Sequence, residues 1–212
     1  MLFQLLLTNP LVFLAWAIAF IIAITFHEFS HAFVAHRLGD DLARSEGRLS
    51  LNPLAHLDPI GTLLLIFVGF GWGRPVPFDP YALKNPRLGA LLIALAGPVS
   101  NFLVALVFGL IFRLLTLAGL TPTPGVLSFF SIVVVLNISL MLFNLLPIPP
   151  LDGSKLLPVL LPQRLAKLGD ALERLGPWFL FGIIILDGIV GLSLFARLYN
   201  FGLTLATRIL GS

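Results

Sequence analysis

The feature that most constrains this fold is a run of sixteen consecutive uncharged residues, LVFLAWAIAFIIAITF at 11–26. The apolar pattern continues past a short polar cluster to about Leu38. A helix needs about 20 apolar residues to cross the hydrocarbon of a bilayer. We therefore predict a membrane-spanning helix over residues 10–38. Three further apolar stretches predict spans over 87–116, 126–146 and 177–196.

The composition also indicates an integral membrane protein and excludes a nucleic-acid partner. Hydrophobic residues make up 58% of the chain and charged residues only 11%, which leaves too few charges to cover a soluble domain of this size. The 13 Lys and Arg barely exceed the 10 Asp and Glu, and in a membrane protein such loop charge sets orientation. The chain has no cysteine, so disulfides, thiolate metal sites and cysteine nucleophiles are excluded.

The distribution of positive charge predicts how the spans are oriented. Six Lys and Arg residues lie between the first two predicted spans or at their facing ends, and four lie between the last two, whereas the connection 118–125 has none. Because positively charged loops stay in the cytoplasm, residues 40–86 and 151–176 are expected there, with the N-terminus outside. The apolar segment 61–73 is too short to span as a helix, which favours a re-entrant or interfacial element.

The polar cluster in the first predicted span is an H-E-x-x-H motif, His27-Glu28-Phe29-Ser30-His31. Histidines at positions i and i+4 share one face of a helix, so both imidazoles can meet one zinc ion. The intervening Glu28 can act as general base on a water at the metal. Ionisable residues in an apolar span are expensive and usually functional, which favours a metal site over a chance cluster at a helix end.

A third metal ligand is expected, because catalytic zinc normally takes three protein ligands and leaves one position for water. Asp152 is a candidate in NLLPIPPLDG at 144–153, although taken alone it is more often an ordinary Asp-Gly turn. The predicted topology changes that balance. His31 lies about 12 Å before the cytoplasmic end of its helix, and the motif GPVSN at 97–101 lies about 15 Å in from the same side. Asp152 follows the cytoplasmic end of the third span, so three polar groups converge in the inner half of the membrane.

The motifs HEFSH, GPVSN and NLLPIPPLDG resemble those of the site-2 protease family of intramembrane zinc metalloproteases. The resemblance is greatest to short prokaryotic members without PDZ or CBS domains, and it covers most of residues 10–160. It implies a single transmembrane metalloprotease domain over 1–212. The expected fold class is an all-α, polytopic membrane protein with a three-helix catalytic core, a fourth span and a short re-entrant or strand-like element.

The resemblance also implies roles for individual residues. His27, His31 and Asp152 would bind one Zn²⁺ per chain, and Glu28 would be the catalytic base. Asn144, eight residues before the aspartate, matches the family asparagine that holds the substrate backbone or the oxyanion of the reaction.

A second stretch with a family counterpart is RLSLNPLAHLDPIG at 48–61. In the family this region forms a strand-like element near the substrate, so residues 45–60 are expected to offer an edge strand, although their alternation alone does not predict one. His56 within it has two open interpretations. It either lines the active site, touching the zinc from the loop side, or it is a histidine in a proline-flanked turn.

We therefore predict an intramembrane zinc metalloprotease that hydrolyses peptide bonds in or near transmembrane segments of membrane proteins, as in regulated intramembrane proteolysis. Its expected partners are a transmembrane protein substrate, the lipid bilayer and, where access is controlled, a regulatory membrane protein; no nucleic acid is expected. It is expected in the cell membrane as a multi-pass protein, with the active site toward the cytoplasmic side. Two alternatives remain: an ion-coupled transporter, which broken helices and buried carboxylates suit, and a non-catalytic scaffold that binds transmembrane helices.

Overall fold

A computed structural model of the chain describes residues 2–68, 71–120, 122–157 and 166–211, and within these ranges it is mainly helical. The α-helices in chain order are α1 (Leu2–Thr8), α2 (Pro10–Arg37), α3 (Leu42–Ser45), α4 (Pro59–Val68), α5 (Pro86–Leu117), α6 (Pro124–Asn144), α7 (Ala166–Val190) and α8 (Leu194–Leu210). Short 3-10 turns lie at Pro53–Ala55, Pro80–Ala82 and Asp152–Leu156. No β-strand occurs in the described ranges, in agreement with the predicted all-α class.

Three of the described helices, α2, α5 and α6, are long and apolar enough to cross a membrane. Each begins with a proline at its first or second position, where the missing N–H removes no helical hydrogen bond. Asn9 and Asn85 cap α2 and α5, because each side chain accepts a hydrogen bond from an amide three residues later. These local signals set the starts of the helices close to those of the predicted spans.

The three spanning helices form the core, since each of them packs against the other two. Ala19 of α2, Val104 of α5 and Val133 of α6 share one buried cluster, in which small side chains allow the helix backbones to approach closely. α8 packs along α5 and α6, where Ala105 and Ala206 belong to a second buried cluster.

The C-terminal region differs in its bounds from the predicted fourth span over 177–196. α7 ends and α8 begins within this range, and α8 is bent by 95° relative to the last part of α7. The carboxylate of Asp187 accepts hydrogen bonds from the amides of Leu194 and Phe195, which is a favourable place for an anion because it caps a helix N-terminus. The last part of α7 and α8 are together long and apolar enough to form a fourth, broken span or a re-entrant pair, so the predicted span covers the end of one helix and the start of another.

The two described ends of the short apolar segment at 61–73 lie close to one level of the structure. Leu57 and Gly73 pair as an isolated antiparallel bridge, so the chain has returned to the level of Leu57 after α4; residues 69 and 70 lie outside the described ranges. α4 has ten residues, or a length of about 15 Å, which is half of the hydrocarbon thickness. α4 is therefore too short to span, and the expectation of a re-entrant or interfacial element stays a prediction.

The edge strand expected at residues 45–60 is not formed in the described structure, and this expectation is corrected. Pro53–Ala55 is a 3-10 turn instead. Asn52 caps this turn by accepting a hydrogen bond from the amide of Leu54, and Pro53 has no N–H to give to a ladder. The strand-like character of this region is limited to the single bridge of Leu57.

Candidate metal centre

His27 and His31 of α2 come together with Asp152, which follows the end of α6. The two Nε2 atoms of His27 and His31, one helical turn apart on α2, are 3.1 Å from each other. Asp152 begins the 3-10 turn that follows α6, and its Oδ2 lies 3.1 Å from the Nε2 of His27 and 3.3 Å from that of His31. Both histidines are buried and the aspartate is half-buried.

The outer nitrogens of both imidazoles are held by acceptors, which fixes the rings. The Nδ1 of His27 lies 2.6 Å from the side-chain oxygen of Asn101, and the Nδ1 of His31 lies 2.6 Å from the carbonyl of Ile93. The amide nitrogen of Asn101 donates to a carbonyl of α2 and to the side-chain oxygen of Asn137, so its own oxygen faces His27. Each Nδ1 therefore carries the hydrogen, and each Nε2 directs a lone pair into the site.

This arrangement fits a divalent cation, because three potential ligand atoms face one another around one point. The Oδ2 of Asp152 is buried and has no hydrogen-bond donor among the described residues. The three separations of 3.1 to 3.3 Å are close to the roughly 3.3 Å expected between ligands around a tetrahedral zinc.

Gly97 of the GPVSN motif lies so close to the imidazoles of His27 and His31 that a larger residue does not fit there. A Cβ atom added there would lie 2.4 Å from the Nε2 of His31 and 2.6 Å from the Cε1 of His27. Real Cβ atoms do not approach other atoms so closely, and the rings are held in place by Asn101 and Ile93. α5 therefore approaches the imidazoles through the bare backbone of a glycine.

The side chain of Glu28 lines a cleft beside the group formed by His27, His31 and Asp152. The cleft is bordered by α2, α5, the turn at Asp152 and an extended segment at residues 74–79, which we call the wall segment. The residues that line it are Glu28, His31, Pro75, Val76, Phe78, Ala90, Ile93, Ala94, Pro150, Leu151, Asp152 and Lys155. A carboxylate, two potential metal ligands and an extended backbone therefore face one space.

The two remaining predicted site residues lie outside the three-residue group. Asn144 is the last residue of α6, and its side-chain amide donates to the carbonyl of Leu140 at 3.1 Å. His56 is completely buried in the turn after Pro53–Ala55, with its Nε2 2.6 Å from the carbonyl of Ser50. His56 is thus placed as a histidine of a proline-flanked turn, and it does not line the described cleft.

Residues that the sequence did not single out complete the site. Asn137 is fully buried in the middle of α6 and positions Asn101. In the sequence, Asn137 could have been recognised as a polar residue within an apolar span. Arg48, one of the loop charges of the sequence, is 2% exposed. Burial lowers the pKa of Arg48, and the negative charge of Glu28 opposes that shift.

The fold and the site define a multi-pass membrane metallohydrolase. Comparison with known proteins agrees. The chain is 46% identical over 149 residues to the protein named zinc metalloprotease YwhC of Bacillus subtilis, covering 68% of each chain. It is 33% identical over 184 residues to zinc metalloprotease Rip2 of Mycolicibacterium smegmatis, covering 82% of this chain and 67% of the relative.

A third relative is zinc metalloprotease MJ0611 of Methanocaldococcus jannaschii, 34% identical over 150 residues, with 69% of this chain and 71% of the relative covered. The profile of peptidase family M50 matches residues 113–183, a range that includes Asn144 and Asp152. No solved structure shows a significant match. The chain belongs to peptidase family M50, the site-2 protease family. The family resemblance of its motifs is confirmed, and the protein is a zinc metallopeptidase with Zn²⁺ as its cofactor.

Proposed function

We propose that this metallopeptidase cleaves other membrane proteins in or near their transmembrane segments, from the cytoplasmic side of the bilayer. The observation that carries the proposal is the depth of the site. His27, Glu28 and His31 are buried within the membrane-spanning helix α2, and His31 lies about 9 Å before its end. A peptide bond has to reach this depth to be cut, which suits a substrate that is itself in the membrane.

His27, His31 and Asp152 are the proposed ligands of one zinc ion per chain. Zinc bound there supplies a Lewis acid that polarises the scissile carbonyl and acidifies the attacking water. Glu28, in the same cleft, takes the proton from that water and returns it to the leaving amine. Asn101 and the carbonyl of Ile93 keep both imidazoles oriented while the charge in the site changes.

The substrate backbone needs hydrogen-bond partners once its helix has unwound. The wall segment offers them in place of the strand expected at 45–60. Val76 borders the cleft, and neither its amide nor its carbonyl makes a hydrogen bond within the described structure. An extended substrate strand lying beside Val76 would gain main-chain hydrogen bonds next to Glu28, in the manner of strand addition.

The overall proposal is tested with the purified chain and a single-span substrate in proteoliposomes. We expect one zinc per chain, cleavage within or next to the span, loss of cleavage with a membrane-permeant zinc chelator, and recovery when zinc is restored. A soluble peptide of the same sequence serves as the control for the membrane requirement. Cleavage of only the soluble peptide, or cleavage that continues without zinc, would contradict the proposal.

Asn144 is proposed to bind the substrate backbone or the oxyanion. It is the last residue of α6, eight residues before Asp152, and among the described residues its side chain hydrogen-bonds within its own helix. We expect Asn144→Ala to lower kcat by about 10²- to 10³-fold, the usual loss for an oxyanion donor, with zinc content unchanged. Ser128→Ala, a polar change at an exposed position of the same helix, is the control. A wild-type kcat for Asn144→Ala would refute the assignment.

A further inference from the structure

The wall segment borders the cleft without belonging to a helix, so its shape has to be fixed by other contacts. It leaves the bridge at Gly73 and runs extended to the 3-10 turn at Pro80–Ala82. Its prolines at 75 and 77 have no N–H to share. Buried charged side chains contact it near both ends, and both come from the connection between α2 and α4.

Arg48 holds the first end. Its Nη1 donates to the carbonyl of Pro75 at 3.1 Å and its Nη2 donates to the carbonyl of Arg74. In the described part of the chain no carboxylate lies within ion-pair distance of Arg48. The fork of this buried cation is therefore directed at two consecutive peptide carbonyls, which gives strong and geometrically specific hydrogen bonds.

Asp40 holds the other end. It is 1% exposed, and its Oδ2 accepts a hydrogen bond from the amide of Asp79 at 2.7 Å. Its Oδ1 accepts from the amide of Leu42 at 2.9 Å, which ties the carboxylate to α3. Arg48 and Asp40 thus contact opposite ends of the wall segment and leave Val76 between them.

The base of the wall segment is also fixed against the catalytic helix. A Cβ added to Gly73 would lie 2.9 Å from the Cδ1 of Ile24, which is one turn before Glu28 on α2. The amide of Arg74 donates to the carbonyl of His56 at 2.8 Å. The segment therefore starts at a defined height beside Glu28, and a change in its direction would move Val76 relative to the site.

The contact of Arg48 with Pro75 determines the direction of the Val76 amide. The carbonyl of Pro75 and the N–H of Val76 belong to one planar peptide group. Holding the carbonyl toward Arg48 makes the N–H point in the opposite direction within that plane. The orientation of the Val76 amide is thus set by a side chain that does not line the cleft.

We propose that Arg48 and Asp40 are positioning residues that fix the wall segment so that it holds an extended substrate beside Glu28. This inference rests on the proposed function and assigns the substrate-holding part of the same site. It differs from a general stabilising role, because it confines the effect of these residues to substrate binding. The proposed zinc ligands lie on α2 and at Asp152 and are oriented by α5, and the side chains of Arg48 and Asp40 make no hydrogen bond to any of these.

The test compares Arg48→Gln, Arg48→Lys and Asp40→Asn with wild type in proteoliposomes. For Arg48→Gln we expect kcat/KM for the single-span substrate to fall by about 10²-fold, as a misplaced positioning group typically causes, mainly through a higher KM. Arg48→Lys should recover part of the loss, since one ammonium can still reach a carbonyl, and Asp40→Asn should lose less because its amide oxygen still accepts. Zinc stoichiometry and chelator-measured zinc affinity should match wild type in all three.

Arg44→Gln is the matched control, since Arg44 is an exposed arginine on the same connection, and it should cleave at the wild-type rate. A kcat/KM for Arg48→Gln within twofold of wild type would overturn the proposal. The proposal would also be overturned if zinc affinity and thermal stability decreased in proportion to activity in both Arg48 variants and Arg48→Lys recovered none of the lost activity. Failure of the proposed function itself would show differently, as a wild-type chain that binds no zinc or cuts no membrane substrate.

Discussion

Glu28→Gln is expected to abolish cleavage while one zinc ion per chain remains bound. The glutamine amide has nearly the shape of the carboxylate but cannot take a proton from the attacking water. General-base catalysis typically contributes 10²- to 10⁴-fold, so cleavage of the single-span substrate should fall by at least about two orders of magnitude. Zinc should stay, because the three ligand atoms that face one another come from His27, His31 and Asp152. Zinc content and cleavage rate of the purified variant are measured on the same preparation.

Glu46→Gln is the control for this substitution, because Glu46 is an exposed carboxylate after α3 and should cleave like wild type. The result also separates the alternatives. Cleavage that survives Glu28→Gln would exclude Glu28 as the base, and ion transport by both forms would favour an ion-coupled transporter. A wild-type chain that binds transmembrane helices without cutting them would favour a scaffold.

The part of the site that follows from the sequence is the part set by helix geometry. The spacing of His27 and His31 places both rings on one face at any rotation of α2, and their Nε2 atoms are indeed adjacent. Asp152 could be placed near them because hydropathy locates the ends of spans, and ends on the same side of a membrane lie at similar depth. In each case the inference needed only positions along helix axes.

The contacts that orient the site could not be predicted in this way. Whether Asn101 faces His27 or lipid depends on the rotation of α5 about its own axis, which neither hydropathy nor loop charge determines. The same holds for Asn137 of α6, whose side-chain oxygen accepts a hydrogen bond from Asn101 of α5. Both are polar residues in apolar spans, so the sequence could mark them as unusual but not say what they contact.

The connection between α2 and α5 was the least predictable region, because its structure depends on single side chains. The strand expected at 45–60 gives way to a turn capped by Asn52, and the extended backbone lies instead at 74–79. Arg48 reads in the sequence as one of many loop cations. Its burial against the carbonyls of the wall segment arises from tertiary packing alone. The positions of the proposed metal ligands can thus be predicted from regular helices, whereas the backbone proposed to hold the substrate belongs to an irregular loop and cannot.

Gly97→Ala is expected to eliminate zinc binding and, with it, cleavage. In the interior of a helix this change would ordinarily stabilise the fold by about 1 kcal/mol. Here the new Cβ would lie 2.4 Å from the Nε2 of His31 and 2.7 Å from the Nε2 of His27, so it would occupy space at the metal-facing nitrogens. The rings cannot move aside without losing their bonds to Asn101 and Ile93. Zinc affinity should therefore fall by more than the 10- to 100-fold that changes beyond the ligands usually cause.

Gly182→Ala makes the same substitution in α7, where an added Cβ meets no atom within 4 Å, and it should keep one zinc per chain. Zinc is measured by elemental analysis after equal dialysis of wild type and both variants, and helicity is checked by circular dichroism. A Gly97→Ala chain with wild-type helicity and no zinc places the metal between the imidazoles and α5. Retention of one zinc by a folded Gly97→Ala chain would mean that the ion is held somewhere other than at the Nε2 atoms of His27 and His31, and the ligand set proposed above would be wrong.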